Sequence, residues 1–186
     1  GIAIAPTVPL MALNSSRTAT VQLTNVFVAL EFLLHGPVEN VMKQTGGGAG
    51  SYTTSALAVG HAANAISLLR NEADRRPELS EILQPFTSEH LSISADLALA
   101  AADTSDAPSH LSAETMRQRS NSLALRASQA SLATSKGAGF VASHPASRLV
   151  AEAMFFLVWS CPQPVVLGNL RELTCATSGS DDVNLS

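Results

Sequence analysis

The residues with the clearest chemical potential lie near the C-terminal end, where Ser160 and Cys161 follow Trp159 and precede Pro162. A serine beside a cysteine could form a nucleophile pair, but each needs a base or a depressed pKa to react. No such partner is adjacent, so the pair reads first as a helix-terminating turn, with Cys161 a small apolar side chain. The run Gly46-Gly47-Gly48-Ala49-Gly50 could cradle a phosphate on free backbone N–H groups. It lacks a following Lys-Ser/Thr and the GxGxxG spacing, and so reads as a hinge. The five histidines split by position. His61 and His90 fall near helical core stripes and read as satisfied interior groups, His35 and His110 are loop residues, and His144 precedes Pro145 as a packing residue. None stands at metal-ligand spacing from carboxylates or cysteines. Arg148 and Glu152 are four apart in the less favourable order and read as a solvated pair. Arg75-Arg76 is the strongest basic cluster, and Phe155, Phe156 and Trp159 form an aromatic group suited to a core or subunit interface.

The elements that position these residues change character along the chain. Residues 1–34 read as strands: Val21 and Leu23, then Val26 and Val28, recur near a period of two, with Asn14-Ser15-Ser16 as a turn. From Ser51 onward the periodicity is helical. Ala56, Val59, Ala63, Ile66 and Leu69 share a face of the first helix. Leu79, Ile82, Leu83, Phe86, His90, Ile93, Leu97 and Ala100 mark the second, where Pro85 predicts a kink or late start. Ser112 caps a third carrying Met116, Leu123, Ala127, Ala130 and Thr134, ended by Gly137-Ala138-Gly139. A fourth starts near Ser143 with Pro145 in its first turn, burying Leu149, Val150, Ala153, Met154, Phe156 and Leu157. Pro162 and Pro164 stop it, and a short helix covers about 165–175. Short connections between long helices make an antiparallel bundle the expected fold, mainly α and preceded by a short β-segment. The organisation expected is a β-segment and linker over 1–45, a helical bundle over 46–176 and a flexible tail over 177–186.

Composition bounds the function. The chain has 186 residues and a net charge of −4, with 46% hydrophobic and only 14% charged residues. An acidic balance without a basic stripe argues against nucleic acid as a partner. So few charges on a water-exposed chain point to an oligomer, with surface covered by another domain or subunit. No run reaches the length of a membrane span. Cys161 and Cys175 read as free cytosolic thiols, which places the chain in the cytoplasm.

Three stretches carry a family resemblance. Leu10–Leu34, LMALNSSRTATVQLTNVFVALEFLL, resembles the end of the middle β-domain of acyl-CoA dehydrogenases. Ser55–Leu69, SALAVGHAANAISLL, is similar to that family's first C-terminal helix. Lys136–Leu173, KGAGFVASHPASRLVAEAMFFLVWSCPQPVVLGNLREL, resembles its closing segment, where G-x-G-F/Y, Y-P-x-E-R and Y/W-E-G-T occur in order. The resemblance implies the C-terminal helical domain of an FAD-dependent oxidoreductase that dehydrogenates acyl-CoA thioesters in fatty acid metabolism, assembled as a dimer or tetramer. It implies that Arg75 meets a neighbouring subunit's FAD phosphates, that Gly137 and Gly139 let the dinucleotide approach the backbone, and that Trp159 and Cys161 line the flavin. Ser160 stands where the family has its glutamate base, Pro162 where it has a threonine against the flavin, and Ala133 where it has a glutamine. A serine is no base near neutral pH without an activating partner, and Gly50-Ser51-Tyr52-Thr53 offers no carboxylate in its stead. Activity is therefore expected of a full-length parent and not of this stretch alone. The alternative expectation is a catalytically inactive helical module for oligomerisation or partner binding, descended from the same family.

Overall fold

The computed structural model describes residues 1–39, 52–102, 109–159 and 161–175, and the chain divides into two compact units, Gly1–Gly48 and Ala49–Ser186. The glycine run 46–50 and the tail 177–186 lie outside the described residues.

In the first unit, β1 (Ile2–Ile4) pairs antiparallel with β2 (Val21–Leu23), Ala3 opposite Gln22. Bonds from Ala5 N to Thr20 O (3.0 Å) and Val8 N to Thr18 O (2.9 Å) continue the pairing beyond the strands. Between them Asn14 brackets Leu10, accepting from its N–H at 2.8 Å and donating to its carbonyl at 2.7 Å. The expected second strand over Val26–Val28 is absent. Asn25 takes a positive φ of 49° and Leu30–Phe32 forms a 3-10 turn, so the period-two pattern breaks where the backbone turns. Every strand residue is exposed, and a two-stranded ribbon of this kind is marginal by itself.

The second unit is a helical bundle: α1 (Tyr52–Ala73), α2 (Ser80–Ala102), α3 (Ala113–Thr134), the single turn α4 (Lys136–Gly139), α5 (Pro145–Ala153), the single turn α6 (Phe155–Val158) and α7 (Gln163–Leu173). Cross-links give the directions. Asp96 meets Arg119 at 2.7 Å and Glu89 meets Arg126 at 2.6 Å, so α2 runs opposite to α3. Tyr52 Oη donates to the Leu111 carbonyl at 2.7 Å and Arg76 donates to the Thr134 carbonyl, so α1 runs alongside α3 in the same direction. Asn121 reaches the Phe156 carbonyl at 3.1 Å while Gln118 reaches Pro164 and Ser122 reaches Glu172. The segment α5–α6 therefore descends against α3, and α7 climbs with it. Neighbours in sequence are antiparallel, and α3 is the strut that touches α1, α2, α5 and α7.

The strut is also the most polar of the long helices, yet it is buried on nearly every side from Ser120 to Leu125. Its hydroxyls are satisfied within the helix: Ser120 donates to the Met116 carbonyl at 2.7 Å, Ser131 to Ser128 at 2.8 Å and Ser128 to Ala124. Serines bonded in this way behave as small residues and let other helices approach closely, while no hydroxyl among them is left unpaired. Against them lies the alanine-rich face of α1, Ala58, Ala62 and Ala65 with Val59, Ile66 and Leu69. Of the expected face, Ala56 is exposed and Ala63 only half-buried, because the stripe is rotated by one residue towards Ala58 and Ala62.

The helix ends follow local chemistry. Ser112 caps α3, accepting from Thr115 N at 3.2 Å. The helix stops at Thr134, before the glycines, and the left-handed residue there is Lys136 (φ 53°). Pro85 neither delays α2 nor ends it. The helix starts at Ser80, so the proline sits one turn inside and costs the bond to the Glu81 carbonyl. On α2 Ile82 is exposed, and only Ile93 and Ala100 of the expected face are fully buried. On the fourth helix a break at Met154 splits α5 from α6, with Leu149, Ala153 and Phe156 buried and Val150, Met154 and Leu157 half-buried.

Candidate functional site

The residues singled out by sequence fall at the two ends of α3. At its C-terminal end, Arg76 ties α1 to α3 through Glu72 (2.8 Å) and the Thr134 carbonyl. Its neighbour Arg75 is 75% exposed and pairs with Glu72 at 3.2 Å. Gly137 and Gly139 lie in α4, just beyond. Gly137 is exposed with nothing within 4 Å of the space a Cβ would fill. Gly139 is buried, and a Cβ there would meet Ser135 Cβ at 2.8 Å and the Leu132 carbonyl at 3.0 Å. The missing side chain at Gly139 is thus taken up by the protein's own packing, and only Gly137 offers open backbone. Ala133, in the same stretch, is exposed.

At the N-terminal end of α3 lies the chain around Trp159, Cys161 and Pro162; Ser160 lies outside the described residues. Trp159 stacks on Phe155, centroids 5.1 Å apart and planes 18° from parallel, and the residue is 42% exposed. Behind it two α3 side chains reach the last carbonyls of α6. Arg117 Nη2 donates to Trp159 O at 3.0 Å and Phe156 O at 3.5 Å, and its Nε donates to Asn121 Oδ1 at 3.0 Å. Arg117 is completely buried, and burial lowers its pKa, with Cys161 acting in the opposite sense. Burial likewise pushes the Cys161 thiol up, the Arg117 charge opposing it. Cys161 is thereby held as a neutral thiol, consistent with a packing side chain.

The two ends are separated by the length of α3 from Arg117 to Thr134, about 25 Å at roughly 1.5 Å per residue. Gly137 follows the Arg76–Thr134 tie at one end, and Trp159 and Cys161 lie beside Arg117 at the other.

Sequence reading missed one cluster. His61 Nε2 donates to the Leu149 carbonyl at 2.9 Å, its Nδ1 lies 3.9 Å from Glu152 Oε2, and its ring meets Phe156 edge-on at 5.7 Å. Desolvation lowers its pKa, against the Leu149 bond and the Glu152 charge. The interior reading of His61 agrees with this, but Glu152 is not simply solvated with Arg148 (3.7 Å), since it also faces the buried imidazole. The two residues are distant in sequence, so no local pattern could pair them. His144 is the N-cap of α5, its Nδ1 accepting from Ala146 N at 3.1 Å, a role its place before Pro145 could have disclosed. Among the described residues no group of three or more His, Cys, Asp or Glu could hold a metal ion, and no helix is long and apolar enough to cross a membrane.

These features define a helical bundle with an aromatic, arginine-backed turn at one end and an open cationic corner at the other. No family model and no curated protein matches the sequence. Solved structures do match the fold. A chain from the structure of the electron transferring flavoprotein of Acidaminococcus fermentans, solved towards a mechanism of flavin-based electron bifurcation, aligns with a TM-score of 0.70 over 93% of this chain at 17% identity. This chain spans about half (49%) of the length of that one. At that identity the likeness is one of fold.

Proposed function

We propose that the chain is the helical part of a flavin-dependent redox protein, in which the bundle forms one wall of the flavin site and a face of the oligomer. The observation that carries the reading is the fold shared, over 93% of this chain, with a chain from a flavoprotein structure. The finer reading is an acyl-CoA dehydrogenase-like protein binding FAD and an acyl thioester, on the sequence resemblance. FAD, when bound, would supply a two-electron acceptor. Arg75, with one carboxylate contact and a mostly exposed guanidinium, fits a phosphate partner. Gly137 fits a close backbone approach. Gly139 does not add to that approach. Trp159, a partly exposed residue, offers an indole for stacking at the far end. One extended dinucleotide or two subunits' dinucleotides are needed to use both ends, which favours an assembly of several copies.

The experiment is the visible absorbance of the protein at its full natural length, before and after anaerobic addition of acyl-CoA thioesters of graded chain length. A flavin spectrum that bleaches supports the dehydrogenase. A flavin spectrum that persists unbleached supports other flavin chemistry. The absence of flavin after reconstitution with excess FAD overturns the proposal. That outcome would favour an inactive oligomerisation module, a reading that Leu167, Leu170 and Leu173, all exposed at three-residue spacing on α7, also fit.

A further inference from the structure

Arg117 has a structural role that fold and composition do not require. Arginine is seldom fully buried unless paired, yet Arg117 is at 0% exposure with no carboxylate in ion-pair distance among the described residues. Its donors are aimed at one place. Nη2 goes to Trp159 O (3.0 Å) and Phe156 O (3.5 Å), and Nε goes to Asn121 Oδ1 (3.0 Å). Asn121 in turn donates from Nδ2 to the same Phe156 carbonyl at 3.1 Å. Nη1 has no partner. The chain leaves α6 here, since its C-cap Trp159 is extended (φ −78°, ψ 122°). Side chains from α3 hold both carbonyls. The nearest described consequence of the charge is at Cys161, on which the guanidinium acts electrostatically.

We propose that Arg117 is a positioning residue that fixes the backbone at Phe156 and Trp159 and, through its bond to the Trp159 carbonyl, sets its positive charge two residues from Cys161. Any electron-rich group seated against Trp159 would then meet a fixed backbone and a fixed field. The redox consequence of that field rests on the flavin reading; the positioning does not.

The chain offers its own reporters, since Trp159 is the single tryptophan and Cys175→Ser leaves Cys161 the single thiol. In that background, Trp159 emission and the rate of Cys161 alkylation by iodoacetamide across pH are compared for Arg117→Met, Arg117→Lys and Asn121→Leu. Arg117→Met removes charge and fork. The expected result is a shifted emission and an alkylation rate at fixed pH lower by roughly tenfold, the change that one pKa unit makes in thiolate. Arg117→Lys keeps the charge and loses the fork, so its emission shifts while alkylation stays within about threefold of the parent. A purely structural arginine would move the emission but not the pH profile. Parent-like emission and alkylation in Arg117→Met overturn the proposal. If that variant does not fold, parent-like emission in both Arg117→Lys and Asn121→Leu overturns it. A parallel titration of the parent with FAD keeps the readings apart, because failure to bind flavin sinks the flavin reading and leaves the Arg117 comparison standing.

Discussion

Alanine at Gly137 and alanine at Gly139 should move stability in opposite directions, although the two sites lie two residues apart in one helical turn. At Gly139 an added Cβ would stand 2.8 Å from Ser135 Cβ, 3.0 Å from the Leu132 carbonyl oxygen and 3.2 Å from Leu132 Cδ1. The first is the root of a side chain and the second is backbone, so neither can swing aside, and α4 must shift from the end of α3. Overpacking of this kind costs about 1–3 kcal/mol, set against a helix gain of about 0.5–1 kcal/mol. The net loss is therefore up to roughly 2.5 kcal/mol. At Gly137 a Cβ meets nothing within 4 Å, so only the helix gain remains, about 0.5–1 kcal/mol of stabilisation. The assay is urea unfolding followed by far-ultraviolet circular dichroism, comparing midpoints at unchanged m. Equal stability of the two variants would refute the packing of α4 on Leu132 and Ser135. The same pair bears on the cofactor. If a dinucleotide approaches Gly137, its alanine variant should weaken FAD binding while the bundle gains stability, a separation that a folding defect cannot mimic.

Two further outcomes follow from buried and strained groups. His61 has its pKa lowered from 6.5, chiefly by desolvation. The unfolded chain then takes up the proton first as pH falls. Its stability contribution should be full above about pH 6.5 and be lost as pH drops from there through the lowered folded value. Urea midpoints between pH 8 and 5 should show this slope in the parent and lose it in His61→Gln, and an unchanged slope in the variant would place the proton uptake elsewhere. Pro85→Ala restores the N–H that α2 lacks at an exposed position. It should raise stability by about 1–3 kcal/mol, read as a higher urea midpoint, and no gain would mean that α2 had already adapted to the proline.

Much of the bundle was legible because its signals are local. Ser112 as a cap, Pro145 in a first turn, and the proline pair at 162 and 164 each marked a helix end where the structure has one. The strand pattern at Val26–Val28 was also local, but Asn25 turned the backbone and overrode it. Less legible was the strut. Its sequence, with Arg117, Ser120, Asn121, Ser128 and Ser131, reads as a half-exposed surface helix by hydropathy. It is central because the hydroxyls satisfy themselves within the helix and the arginine satisfies carbonyls far along the chain. Hydropathy scores a side chain in water and cannot register a partner that only the fold supplies. The same limit hid His61 with Glu152 and exposed Ala56 on a face where periodicity alone would bury it.

The polar strut also explains how one bundle holds two separate corners. Apolar core residues position by shape and tolerate sliding, whereas Arg117 at one end of α3 and the Arg76–Thr134 tie at the other fix particular carbonyls. The self-bonded serines between them allow close packing of α1 without adding directional links across it. Each corner is therefore set by its own polar tie, and about 25 Å of α3 separates them. Substitutions at such distances combine additively unless something physical connects the sites. Within the chain α3 does so, with α1 alongside it and tied near Leu111 and at Thr134. A ligand that engaged both corners, or a second copy whose corner completed the first, would add a further link. On the proposed flavin reading, the turn backed by Arg117 and the open backbone at Gly137 are the two places such a ligand would meet the bundle.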